Sequence, residues 1–343
     1  MRVSVAQPWY DMTPKILTEY AFAVVATVVL LAIPGIVHSP AFLDFMIRVA
    51  AMALFATSLN LLVGGTGMVS FGHGLFYSLG AYAFALLMQR TDLTLGAAVM
   101  VTMAVSATTA LVVGGICIRL RAIYFAFVTL AMQMLFYSAI IAWSSFTGGD
   151  QGLQGGIPRR VLFGLNLGSN QALYEASVVT MVVALLLMRH VSASPLGTSL
   201  RMIRDNETRA AFLGIVIWRA KLTIFVIAAM FASLGGILAA LFVSSAYPEL
   251  ANWTISGQAI FAVMLGGISN FAGPLVGTAI LLALNDVVGR FTEYNGLVLG
   301  VVILFFAVGL RRGLLDFLTL LLARRRPRQV HAPASIPPAT VAP

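Results

Sequence analysis

Two groups of residues in this sequence could do chemistry. The first is a set of polar side chains embedded in long apolar stretches: Asn60, His73, Gln133, Gln258 and Asn285. At membrane depth such a group must find a partner inside the bundle or line a wet cavity, because hydrocarbon offers it none. Around them stand two glycine-rich runs, GGTGMVSFGHG at 64–74 and GGISNFAGP at 266–274, which contain Gly67, Gly74, Gly266, Gly267, Gly273 and Pro274. Glycine and proline interrupt helices. The runs therefore offer either close helix packing or broken helices whose ends line a route through the membrane. Asn60, His73 and Gln133 with these residues form a candidate translocation pathway, although a polar residue of this kind taken singly is more often a packing hydrogen bond than a ligand.

The second group lies in the charged stretch 190–220. Ser194 is placed to cap a helix with Pro195 at its first position, and Gly214 is placed to end it. Leu196, Leu200 and Ile203 form one apolar stripe, while Arg201, Asp205 and Arg209 alternate in sign at intervals of four on another face. An amphipathic helix of this kind either rests on lipid headgroups or docks a partner protein. Enzymatic chemistry finds no support. The only lysines are Lys15 and Lys221 and neither follows a glycine loop, so there is no ATP-binding P-loop. There is no HExxH or GxSxG motif, His73 has no second candidate ligand nearby, and the single cysteine, Cys117, provides neither a disulfide nor a metal framework.

The elements that must position these residues follow from composition. Of 343 residues, 60% are hydrophobic and 10% charged, where a soluble domain has about 45–50% and about 25%; mean hydropathy is +0.96. The chain reads as an all-α integral membrane protein. Apolar runs fall at 20–37, 42–64, 69–88, 95–117, 122–143, 172–188, 222–244 and 296–310. One further run, 257–289, is too long for one crossing of about 20 residues. Its glycine-proline centre predicts two segments, giving about ten in all, some short or broken. The two glycine runs sit at comparable places in the two halves, which an inverted internal repeat would explain.

Charge sets the orientation. With both termini inside, only Arg48, Arg90, Arg159, Arg160 and Arg290 of the 21 Lys and Arg fall outside, as the positive-inside rule requires. The net charge of +9 then reflects topology and anionic lipid rather than nucleic acid. Three regions result: a cytoplasmic N-terminal segment 1–19, a transmembrane domain 20–322 with a cytoplasmic loop at about 190–220, and a basic, Pro-rich tail 323–343 whose composition predicts disorder.

Five blocks carry a resemblance: LNLLVGGTG with FGHG and LGAY (59–82), RLRAIYFAFVTLA (119–131), TGGDQGL with GIP (147–158), RMIRDNETRAA with Leu213-Gly214, and GGISNFAGPLVG (266–277). Together and in this order they resemble the branched-chain amino acid permeases of ATP-binding cassette (ABC) importers. The resemblance implies a half-pore in the bacterial inner membrane that moves branched-chain or related small amino acids by alternating access. It implies as partners a second homologous permease, two ATPase subunits that hold the ATP and Mg, and a periplasmic solute-binding protein; this chain itself would carry no cofactor. It also implies that the loop helix is a coupling helix, with Arg201, Arg204, Asp205, Asn206, Glu207, Ala210, Ala211 and Gly214 at its docking surface, although Thr208 and Arg209 separate Glu207 from the two alanines. Reversing Glu207 to Arg is expected to abolish coupled uptake. Met68 and Gln133 depart from polar and Glu residues of many members, which leaves urea, short amides and other small acids open as solutes. A stand-alone secondary carrier is the alternative of another class, and its expected intramembrane carboxylates are represented only by Asp44, Asp286 and Glu293, near segment ends.

Overall fold

The computed structural model describes residues 25–35, 39–120, 122–153, 155–157, 161–162 and 165–291, with 296–298, 300, 301, 304 and 313–315 beyond them. The N-terminal segment 1–19, the tail 323–343 and most of the expected crossing at 296–310 lie outside the described residues. The principal helices are α1 Pro40–Thr66, α2 Gly74–Arg90, α3 Leu95–Cys117, α4 Ala122–Ala142, α5 Asn170–Ala193, α6 Pro195–Asp205, α7 Glu207–Phe212, α8 Ile217–Val243, α9 Trp253–Gly266 and α10 Gly273–Phe291. Among the described residues, six helices (α1, α3, α4, α5, α8 and α10) are long and apolar enough to cross a membrane. Among the described residues a two-residue ladder pairs Val161–Leu162 with Leu165–Asn166 in the α4–α5 connection.

Burial ranks the crossing helices. In α1 83% and in α8 67% of the most apolar window is buried, against 22–28% in α3, α4, α5 and α10. Apolarity alone does not rank them, because lipid can cover an apolar helix as well as protein can; by burial, α1 and α8 form the centre while the others ring it. The contact surfaces are made of small residues, which let backbones approach in the absence of a hydrophobic drive between helices in lipid. Gly236 of α8 sits against the Tyr77 carbonyl of α2, and Gly80 of α2 sits against the Ser233 backbone. One bidentate ion pair ties distant parts of the chain: Arg48 Nη1 and Nη2 of α1 donate to Asp286 Oδ1 and Oδ2 of α10 at 3.0 and 2.6 Å.

The 257–289 stretch divides as its glycines predict. Helix α9 stops at Gly266, Gly267 takes φ 113°, and α10 begins at Gly273. Helix α9 has only 14 residues, about 21 Å at the usual rise. Helix α2 starts at Gly74 rather than near residue 69, because α1 ends at Gly67 with φ 75° and the chain returns through the buried, non-helical residues Met68, Ser70 and His73 before turning helical again. The bundle has two distinct ends. At one, the C-termini of α1 and α5, helices α6 and α7 and the N-terminus of α8 gather Arg189, Arg201, Arg204, Arg209, Arg219 and Lys221; we call this the basic end. At the other, Leu153 N donates to Ala246 O at 2.8 Å and Asn170 Nδ2 to Asp44 Oδ1 at 3.1 Å.

Candidate functional site

A buried polar network occupies the middle of the bundle, and Gln133, halfway along α4, is its hub. Its Nε2 donates to the carbonyls of Ala251 and Asn252 at 3.1 and 2.8 Å, and its Oε1 accepts from Ser256 Oγ at 2.7 Å. Ser256 Oγ in turn accepts from the amide of Gly74 at 2.8 Å. The N-termini of α2 and α9 therefore meet on one hydroxyl, next to a glutamine amide. Each helix start presents unpaired amides and a partial positive charge, and here they face one another within the bundle. His73 closes the network on the other side: its Nε2 lies 3.0 Å from Ser58 Oγ of α1, and its ring stacks on Phe55 with centroids 5.6 Å apart. A Cβ at Gly74 would meet the Gln133 amide nitrogen at 2.6 Å and Ser256 Oγ at 2.9 Å, so enlarging this residue would push both side chains out of their present bonds.

Below this network a cavity of about 260 Å³ runs toward the basic end. Thr57 and Asn60 of α1 line it at depth; Arg189, Arg201 and Arg204 line its mouth, with Ile268 and Phe271 of the α9–α10 break along one side. From Thr57 to Gly64 the helix advances about 10 Å. Asn60 Nδ2 reaches the Ile268 carbonyl at 3.5 Å, a long bond, so α1 and the break are only loosely latched.

The loop at the basic end departs from the single helix expected up to Gly214. Ser194 does cap α6, accepting from Gly197 N, and Pro195 does open it. At Asn206 the chain turns extended (φ −163°, ψ 109°), and the Asn206 side chain accepts from Arg209 N at 2.9 Å to start α7. Asparagine prefers a cap to a helix interior, which is why one expected helix becomes two. The apolar stripe faces protein rather than lipid: Leu200 and Ile203 are buried in the main core and Leu196 packs against it. Two bonds fasten the loop to the central helices. Arg204 Nη1 donates to Gly64 O of α1 at 2.7 Å, and Lys221 Nζ of α8 lies 2.6 Å from Glu207 Oε1. Past them the chain projects Phe212, 87% exposed, and Leu213, 67% exposed, before Gly214 turns with φ 84°.

The expected site residues thus divide among the central network, the cavity, the α9–α10 contact and the loop. Gly74, His73 and Gln133 join in the central network, whereas Asn60, Arg201 and Arg204 come together in the cavity. Gly266, Gly273 and Pro274 make the α9–α10 contact, where Gly266 abuts the Gly273 carbonyl, and Gly67 ends α1. Asp205 and Ala211 are exposed on the loop and Ala210 is buried beneath it. Thr57, Ser58, Arg189, Lys221, Ser256 and Phe212 escaped sequence reasoning. Small hydroxyls are common in apolar helices, and Lys221 looked like one more topology-setting charge until its pairing was visible. As a test of the hub, Gln133→Leu leaves two buried carbonyls and the Ser256 hydroxyl short of a partner. The cost is expected at about 1–3 kcal/mol per orphaned group in a dry site, moderated by the adaptable partners found in membrane bundles. Thermal unfolding of the detergent-purified chain should show a clearly lowered Tm; an unchanged Tm would remove the network from the account.

Known proteins place this arrangement. A family profile described as branched-chain amino acid transport system / permease component matches residues 41–307. The high-affinity branched-chain amino acid transport system permease protein LivM of Salmonella typhimurium (strain LT2) is 28% identical over 285 residues, covering 76% of this chain and 67% of the relative. The protein of the same name from Escherichia coli (strain K12) is 27% identical over 285 residues with the same coverage. No solved structure matches. The matched span runs from the first turn of α1 past the end of α10 and takes in the network, the cavity and the loop, so the chain belongs to the permease component family of branched-chain amino acid transport systems.

Proposed function

We propose that this chain is the translocating subunit of an ABC importer for branched-chain or related small amino acids in the bacterial inner membrane, with the basic end and both termini in the cytoplasm. A single observation carries the reading: the α6–α7 loop is bonded to both central helices, through Arg204 to Gly64 of α1 and through Glu207 to Lys221 of α8. A push on that loop reaches the helices that enclose the pathway, which is what ATP-driven alternating access needs. Phe212 and Leu213 are the apolar pair that would seat in a partner ATPase, where ATP and Mg are held; a second permease would complete the pore and a periplasmic binding protein would deliver the solute. The Salmonella and Escherichia coli relatives, named for high-affinity branched-chain amino acid transport, favour those amino acids over urea or short amides. An ion-coupled carrier would need a carboxylate facing the route, and Asp286 is instead held by Arg48 while Asp44 takes a bond from Asn170.

Phe212→Asp tests the docking role. An exposed aromatic anchor of a protein interface is worth about 2 kcal/mol or more. The variant should reach the membrane in normal amount, co-purify at least ten-fold less P-loop ATPase from its own host, and lose coupled uptake of labelled leucine. Normal uptake by this variant would overturn the assignment of the loop.

A further inference from the structure

Two buried atoms at the floor of the cavity have no hydrogen-bond partner: Thr57 Oγ1 and Asn60 Oδ1. Thr57 is 1% and Asn60 8% exposed. Buried polar atoms are nearly always satisfied, and an exception asks for an explanation such as a ligand or water that completes it. Both residues line the same cavity as three arginines. Of these, Arg201 donates only to neutral oxygens, the Ser192 carbonyl at 2.9 Å and Thr198 Oγ1 at 3.1 Å, and Arg204 donates to the Gly64 carbonyl. Among the described residues no carboxylate pairs with either, so the mouth of the cavity keeps a positive field with donors to spare. The floor offers an amide oxygen and a hydroxyl, which accept from a cation, and the wall between them is apolar, with Leu61, Leu200, Ile224, Ile268 and Phe271. A volume of about 260 Å³ is far more than one water needs and just below the smallest ordinary ligand pockets, about 300 Å³.

We propose that this cavity is a release-side binding site for the zwitterionic head and apolar side chain of the transported solute: ammonium on Thr57 and Asn60, carboxylate toward Arg201 and Arg204, aliphatic side chain on the Leu200 and Ile224 wall. The inference rests on the importer reading and sharpens it. A neutral urea or amide has no use for the arginine mouth, and a simple anion has none for the floor. The same arginines belong to the α6 helix, so an occupied cavity holds the loop and the solute in one set of contacts.

The test measures binding to the full chain, in the complex with which it purifies, in nanodiscs of phosphatidylcholine so that no anionic headgroup competes. The probes are L-leucine, L-leucinamide, which lacks the carboxylate, and 4-methylpentanoate, which lacks the ammonium. Leucine should bind at least ten-fold more tightly than either analogue, excess inorganic phosphate should not displace it, and Thr57→Val and Arg201→Gln should each weaken it at least five-fold. The wild-type comparison needs no variant to fold, and it reads equilibrium binding without requiring ATP-driven transport. Equal binding of 4-methylpentanoate, or displacement by phosphate, would make the cavity an anion site and overturn the proposal, as would leucine binding untouched by both substitutions. ATP-driven uptake on the same preparation separates the two levels: leucine uptake without binding at the cavity sinks the site and leaves the importer standing, whereas uptake of urea or an amide in place of leucine sinks the amino acid reading itself.

Discussion

Glu207→Lys should abolish uptake at least ten-fold, and the exchanged pair Glu207→Lys with Lys221→Glu should restore most of it. Lys221 is nearly buried, its side chain 9% exposed, while Glu207 is 57% exposed. An exposed ion pair is worth about 1 kcal/mol or less. Removing the partner of a buried charge costs about 3–5 kcal/mol, and this half-buried pair lies between those limits. Putting a second ammonium beside the first in place of the carboxylate adds repulsion to the loss. The expected consequence is detachment of α7 from the first turns of α8, so that a push on the loop no longer reaches the central helix. The exchange distinguishes two roles for Glu207. Rescue identifies an internal clamp that transmits the push; loss of uptake without rescue would make Glu207 a direct contact to the partner; full uptake by the single variant would sink both. Uptake of labelled leucine by membrane vesicles, normalised to the amount of chain, is the measurement.

Gly236→Val should prevent assembly of the bundle. A Cβ at Gly236 would collide with the Tyr77 carbonyl and approach the Ala81 amide, both backbone atoms of α2 that cannot rotate away. Helices α2 and α8 would have to separate, and overpacking of this kind costs about 3 kcal/mol or more when the backbone itself must move. Separation would also draw Gly74 at the start of α2 away from Gln133 and Ser256. We expect the variant to be degraded or to elute as aggregate, with at most one tenth of the normal yield of monodisperse protein. Gly115→Ala is the control. Nothing lies within 4 Å of a Cβ there, and relief of glycine's entropy cost in a helix should stabilise by about 0.5–1 kcal/mol. Normal yield of Gly236→Val would mean that α2 and α8 do not touch as described.

Much of the architecture was legible along the chain because membrane crossing imposes a length and a polarity that show in one dimension. Leu95–Cys117 was bounded to the residue, and the break in 257–289 was placed by its glycines. The start of α2 was missed by five residues, because an apolar run does not reveal that Met68 to His73 cross the interior without helical bonds. Alternating charge at intervals of four continues across Asn206 and predicts one helix there, and only the Asn206 cap, a local competition between side chain and backbone, makes the break.

By itself the sequence determined class and membership: apolar runs of crossing length and five ordered blocks that belong to one permease family. Those are properties of composition and order, and they survive without coordinates. Tertiary structure alone decided which residues act together. Gln133 and Ser256 are 123 positions apart, Arg204 and Gly64 are 140 apart, and Arg48 and Asp286 are 238 apart. No period or spacing encodes such pairs, because they arise where separate helices cross, and the central crossings are set where Gly235 and Gly236 of α8 and Gly80 of α2 meet the backbone of a neighbouring helix. The same packing separated the candidate residues into a closed network and an arginine-lined cavity, and it set the exposed Glu207 beside the buried Lys221.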